Sequence, residues 1–275
     1  MRIAVTGARG LLGSALVELA LQEGHEVLGL DKRGDREVVS QQLSFDVIDM
    51  TAAEEVARSL SGCDALVHLA AHTSPSKAPA HKVHNDNVVA SYNALVTAAE
   101  IGIKRVCQAS SINAIGAAFS RRPRYDYFPL DEDHPTYNED PYSLSKWICE
   151  LQASSVCRAY PDLRVASLRL HMLVPDRQAA LERVKQWGPS GGGAKALWGY
   201  TTLPGAARAC LAALNADFVG HEVFHVVADM TASEETSKDL HDKFYPEVPL
   251  RKELAGHASF FDTTKALKLL SWRDR

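Results

Sequence analysis

An α/β fold built on a doubly wound parallel sheet is predicted by three observations on this 275-residue chain. The first is an apolar strand at residues 2–5 that runs into a glycine-rich turn and then a helical pattern. The second is the alternation of short apolar runs with helical stretches through the first half of the chain, the pattern of strands joined by crossover helices. The third is the pair Tyr142 and Lys146, four residues apart and therefore one turn apart on one helix face.

The opening turn reads Thr6-Gly7-Ala8-Arg9-Gly10-Leu11-Leu12-Gly13. Leu12, Leu16, Leu19 and Ala20 then keep helical spacing until Gly24, and residues 26–30 form a second apolar strand closed by Asp31. Glycines in such a turn let the backbone approach a pyrophosphate, and the helix N-terminus offers that anion free N–H groups and a favourable dipole. An acid at the end of the second strand suits the adenosine ribose hydroxyls. The unit is Rossmann-type, and it predicts dinucleotide binding. Asp31 would repel a 2′-phosphate, which favours NAD. Lys32 and Arg33 offer that phosphate partners and keep NADP as the alternative.

The alternation continues with a strand at 42–45, a turn at 46–49, a helix through Leu60, a strand at 65–69 and a long helix at 83–101. A strand at 105–109 leads into Ser110-Ser111, and Asp140-Pro141 signals the start of the helix bearing Tyr142. The second half gives strands at 165–170 and 222–227 and helices at 178–187, 204–214 and 233–244, with a last helix from Thr263. Gly188 to Gly193 reads as a flexible loop at the edge of a substrate pocket.

Composition narrows the class. Hydrophobic residues make up 46% and net charge is −4 with mixed signs, so a sizeable core is expected and neither a nucleic-acid nor a membrane-binding face is. No apolar run reaches the ~18 residues of a transmembrane helix. Five scattered cysteines, without metal-ligand spacing, suggest reduced thiols in a cytoplasmic protein. His68 and His72 fall in a strand and the loop after it, and His81 and His84 lack a third ligand, so no metal site is expected.

Thr6-Gly7-x-x-Gly10-x-x-Gly13, Asp31, Asp46-x-x-Asp49, His68-Leu69-Ala70-Ala71, Asn87, Ser110-Ser111 and Tyr142-x-x-x-Lys146 together resemble the extended short-chain dehydrogenases/reductases, the NAD-dependent epimerase/dehydratase family. The compact uronate- and aldose-dehydrogenase-like members share the layout. The resemblance implies a catalytic set of Ser111, Tyr142 and Lys146, with Ser111 chosen over Ser110 because it lies five residues before Gly116. Tyr142 would exchange a proton with a hydroxyl or carbonyl, Ser111 would hold the same oxygen, and Lys146 would lower the phenol pKa and bond the cofactor ribose. Cofactor contacts are implied for Gly7, Gly10, Leu11, Leu12, Gly13, Asp31, Lys32 and Arg33, for Asp46 and Val47 at the adenine, and for Leu69, Ala70, Ala71 and Ala109 nearer the nicotinamide. Asn87 would support the long helix and the site. Substrate contacts are implied for Thr73, Ser111, Asn113, Tyr142 and His171, the last being either a contact or a plain pocket wall.

The implied layout is an NAD-binding domain at 1–171, to which 204–228 return, and a small substrate lobe at 172–203 and 229–275. A homodimer would pair the long helix and the Tyr142 helix with their copies. Nucleotide-sugar relatives carry an arginine, a tyrosine and a Val-Asp-Asp run where this chain has Trp198-Gly-Tyr200 and Leu203-Pro-Gly205. That departure, with the short lobe, implies a small free substrate, sugar-like or a sugar acid. The expected activity is hydride transfer between its hydroxyl or carbonyl and NAD, with an NAD-retaining epimerase or lyase as the alternative.

Overall fold

The computed structural model describes residues 1–188 and 193–274. Its centre is an eight-stranded sheet in the order β10-β7-β6-β5-β1-β2-β4-β3. The strands are β1 (Arg2–Thr6), β2 (Glu26–Asp31), β3 (Glu37–Val38), β4 (Leu43–Val47), β5 (Ala65–His68), β6 (Arg105–Ser111), β7 (Arg164–Leu170) and β10 (His221–Val226). All pair in parallel except β3, a short antiparallel edge on β4. Ile3, Ala4 and Val5 are fully buried, as strands covered on both faces require.

Helices cover both faces. On one, α1 (Leu11–Gln22), α7 (Leu203–Asn215) and α9 (Thr264–Leu270) close a core around Leu16, Leu168, Cys210 and Phe224. On the other, α2 (Ala53–Leu60), α3 (Ala80–Glu100) and α4 (Pro141–Ala159) close a second core around Leu28, Leu66, Leu95 and Val165. Strand order reverses between β1 and its neighbours β2 and β5, and ligands of such sheets sit at the carboxyl ends of the strands at that switch point.

A third core lies beyond the sheet. It packs Ile112 and Ile115, of a 3-10 turn at Ile112–Ile115, and Phe128 and Leu130 against Trp198 and Phe260. The pair β8 (Leu173–Val174) and β9 (Thr201–Thr202), helix α5 (Arg177–Gln186), the turn α6 (Gly193–Lys195) and α8 (Ser237–Phe244) complete this region. Tyr125, Phe128 and Leu130 pack in this third core.

Two expectations are corrected locally. Residues 46–49 do not form a turn at once, because β4 continues to Val47, paired with Asp31 of β2. The helix expected at 233–244 begins only at Ser237, where the Thr236 hydroxyl accepts the Asp239 N–H and caps it. The glycine loop expected at 188–193 falls largely on residues 189–192, outside the described residues.

Candidate active site

The glycine turn is built for close approach. Gly7 has φ +68°, and a Cβ there would lie 2.9 Å from the Ala70 backbone nitrogen; one on Gly13 would lie 2.1 Å from the Gly7 oxygen. Only glycine lets the turn and the start of α1 pack this tightly on the end of β5. Thr6 ties the same elements together. Its hydroxyl accepts the N–H groups of Leu69 and Ala70, each at 3.1 Å, and so donates to His68 Nδ1 at 2.8 Å. His68 is left with its proton on Nε2, and burial pushes its pKa down to about 3.

Two cavities meet at this turn and share Gly7, Leu69, Ala71 and Thr73. The smaller, about 430 Å³, runs past Leu30, Asp31, Lys32 and Arg33. Asp31 closes it, accepting the Arg9 N–H at 3.0 Å and the Arg33 N–H at 3.1 Å. Ala70 and Asn87 also line this cavity. Beyond the end of β4 the lining continues with Ile48, Asp49, Met50 and Thr51, while Asp46 and Val47, expected at an adenine, are outside it. Asp46 instead accepts the Val47 N–H and pairs with Arg36 at 3.6 Å, and Val47 is exposed. β4 runs through Val47, so this part of the lining begins at Ile48.

The larger cavity is about 780 Å³. Leu11, Leu12, Gly13 and Ala109 line it together with Ser111, Asn113, Tyr142, Lys146 and His171. Gly10 belongs to the turn as the N-cap of α1 and stands outside both linings. The start of α4 fixes Tyr142: Asp140 accepts the N–H groups of Tyr142 and Ser143 at 3.0 and 2.9 Å, and Pro141 fills the first helical position. Lys146, one turn on, donates to the Ala109 carbonyl at 2.7 Å and stands 5.9 Å from the centre of the Tyr142 ring. Ser111 accepts the backbone and side-chain N–H groups of Asn113 at 3.1 and 3.3 Å, which leaves its own proton to donate.

Burial sets the electrostatics. It raises the Tyr142 phenol to about 12, against the lowering effect of the Ser111 hydroxyl, and it lowers the Lys146 ammonium. The expected lowering of the phenol by Lys146 is thus not present in this state, and Tyr142 is held as a neutral acid. His171 has both ring nitrogens engaged: Nε2 donates to the Ala196 carbonyl at 2.9 Å and Nδ1 accepts the Met172 N–H at 2.6 Å. It forms the wall, and burial puts its pKa at about 4. Asn113 Oδ1 is buried with no hydrogen-bond partner. Asn87 accepts the His72 N–H at 2.8 Å and donates to the His72 carbonyl and to Ser145, locking the segment after β5 to α4.

Several lining residues escape a reading of the sequence. Phe119 meets Tyr142 edge-on at 5.6 Å, and Met172, Arg183 and Trp187 complete the outer wall. Arg183 and Trp187 stand one turn apart at the end of α5, a spacing that is visible in the sequence but says nothing without the cavity. No group of metal-ligating side chains is found among the described residues, and none of the described helices is long and apolar enough to cross a membrane.

A glycine turn at a sheet switch point, an acid at the second strand end, and a serine, tyrosine and lysine in the adjoining cavity define a Rossmann-type dinucleotide-binding class. The chain belongs to the NAD dependent epimerase/dehydratase family, whose model matches residues 3–184. It is 26% identical over 184 residues to the dTDP-6-deoxy-L-talose 4-dehydrogenase (NAD(+)) of Aggregatibacter actinomycetemcomitans, covering 64% of this chain and 63% of that protein. The chain spans 47 to 63% of the length of the first three curated relatives that it matches. Its fold is that of UDP-glucose 4-epimerase from Thermotoga maritima, with TM-score 0.72 at 22% identity over 100% of this chain and 94% of the other. Glucuronic acid dehydrogenase from Chromohalobacter salexigens gives TM-score 0.71 at 20% identity over 100% and 84%. The family's cofactor is NAD, and the glycine cradle and Asp31 fit it.

Proposed function

We propose that the chain is an NAD-dependent oxidoreductase that moves a hydride between NAD and a hydroxyl or carbonyl carbon of a small substrate. The observation behind this reading is the convergence of Ser111, Tyr142 and Lys146 on one cavity that adjoins the glycine turn. Gly7, Gly13, Asp31 and the 69–71 segment would hold the cofactor, which supplies the hydride acceptor. Tyr142 gives its proton to a carbonyl oxygen during reduction and removes it from a hydroxyl during oxidation. Ser111, oriented by Asn113, donates to the same oxygen. Lys146 brings positive charge beside the phenol and has two further protons to offer a ribose hydroxyl. Leu69, Ala70, Ala71, Ala109, Leu11 and Leu12 would exclude water along the cofactor, and Thr73 stands at the junction of the two cavities.

The lobe of 172–203 and 229–275 would form the substrate side, joined by the segment around Phe128. We further propose a homodimer through α3 and α4, whose outer faces leave Val89, Tyr92 and Leu151 exposed. All five cysteines are unpaired and four are buried, which supports a cytoplasmic setting.

A cofactor-retaining epimerase would use the same three groups, and the likeness to the Thermotoga epimerase favours keeping that reading. Absorbance at the NADH band, followed with aldoses, uronates and small alcohols, separates the two. Steady NADH accumulation supports the oxidoreductase. Interconversion of two sugars without accumulation replaces it with the epimerase.

A further inference from the structure

Among the charged side chains that line the larger cavity are Lys146 and Arg183, and no carboxylate of the described residues lines it. Lys146 is buried, donates to the Ala109 carbonyl and stands 5.9 Å from the centre of the Tyr142 ring. Arg183 is different. It is exposed, it lines the cavity from the far side, and it has no hydrogen bond or ion pair to any described residue. The other charged side chains of α5 are engaged: Arg177 donates to the Thr231 and Ser233 carbonyls, Glu182 accepts from Gln178, and Lys185 pairs with Glu234 at 2.7 Å. Arg183 is the cation of this helix that lines the cavity, and among the described residues none neutralises it.

The rest of that wall is apolar. Trp187 lies one turn beyond Arg183, and Phe119, Met172 and Leu173 surround the space between it and Tyr142. A substrate that fits would carry the reacting oxygen at Tyr142 and Ser111, an apolar or ring face against Trp187 and Phe119, and one anionic group at Arg183. A guanidinium offers two parallel N–H donors, the geometry that matches a carboxylate. A diphosphate would bring more charge than one partly solvated arginine balances, and burying the remainder is costly.

Resting on the oxidoreductase reading for where the reaction occurs, we propose that the substrate is a hydroxy or oxo acid, a sugar acid included, whose carboxylate is received by Arg183. Arg183 is then the residue that separates an acid from its neutral counterpart.

The test is calorimetric binding to the NAD-loaded protein of D-glucuronate against D-glucose, D-galacturonate against D-galactose, and β-hydroxybutyrate against secondary butanol, with uridine diphosphate as a further arm. At least one acid should bind about 10- to 100-fold tighter than its neutral partner, and that margin should shrink as salt rises. Arg183→Gln should bring the ratio close to one, and Arg183→Lys should restore part of it. The melting temperature and NAD affinity of each variant check that it is folded. The salt dependence of the unaltered protein decides the matter if a variant does not fold. Equal binding of every acid and its partner overturns the proposal, as does a margin that survives Arg183→Gln. Uridine diphosphate bound tightly through Arg183 overturns the carboxylate assignment. Acids that bind through Arg183 but never yield NADH leave this inference standing and remove the oxidoreductase reading instead.

Discussion

Two polar clusters share the same two elements, β6 and α4, and they behave in opposite ways. Ser111, Tyr142 and Lys146 open on a cavity. Ser110, one strand position back, also borders that cavity, but its hydroxyl turns to Glu150, one helical turn on, which is buried and lines neither cavity. Ser110 donates to Glu150 at 2.5 Å, and Arg169 of β7 clasps the same carboxylate with Nε at 3.0 Å and a terminal nitrogen at 2.9 Å. Strand alternation makes the difference. Gln108 and Ser110 share the face under α3 and α4, while Ser111, of the other parity, stands at the carboxyl edge of the sheet. Three residues of α4 at successive turns, Tyr142, Lys146 and Glu150, therefore divide between the cavity and the interior behind it. In the open cluster burial leaves a phenol with an unusually tight proton; in the closed one it leaves a fully paired charge.

The comparison is sharpened first by removing one member of each cluster. Tyr142→Phe should lose about 10²- to 10⁴-fold in turnover while keeping NAD affinity and melting temperature. Turnover like that of the parent would remove the chemical half of the contrast. Arg169→Ala should instead cost about 3–5 kcal/mol in chemical denaturation, because Glu150 is left buried and unpaired. A loss below ~1 kcal/mol would mean that water reaches Glu150 and the cluster is not closed.

A smaller effect is expected at the cofactor end. Asp31→Ala should weaken NAD about 10-fold or more by calorimetry, the worth of a hydrogen bond to a charged group. It should also narrow the gap to NADP. Tighter binding of NADP than NAD by the unaltered protein would assign the preference to Lys32 or Arg33.

The most general effect concerns pH. Burial depresses His68 and His225 to about 3 and His171 and His221 to about 4, from an ordinary value of 6.5. The unfolded chain takes up these protons below pH 6.5 and the folded chain does not. Stability is thus complete above that value and falls as pH drops toward 4, by about 1.4 kcal/mol per pH unit for each excluded proton. Melting curves that are flat across this window would show that these rings are hydrated.

The legible part of the molecule is the part whose signals are local. Periodicity gives α1 and α4, and the run from Ile3 through Gly13 to Asp31 predicts β1, the turn and β2 as they stand. Tyr142 and Lys146 share a face because helical spacing alone places them there. The lobe is less legible, since β8 and β9 are two residues each and Phe128 reaches Phe260 only through tertiary packing. That the cavity lining begins at Ile48 rather than at Asp46 has the same origin: where β4 ends depends on its pairing with β2. Arg183 reads as one more solvated charge until the cavity beneath it is seen.

The account rests most heavily on Tyr142 as the group that moves the proton, and its pH dependence measures that directly. Oxidation needs the phenolate and reduction the neutral phenol, and the fold holds the phenol near 12. With a turned-over substrate, kcat/KM for oxidation should climb close to tenfold per pH unit above neutrality, while kcat/KM for reduction stays level over the same range. Oxidation that is flat with pH, in a protein whose Tyr142→Phe variant is equally flat and equally fast, would contradict it.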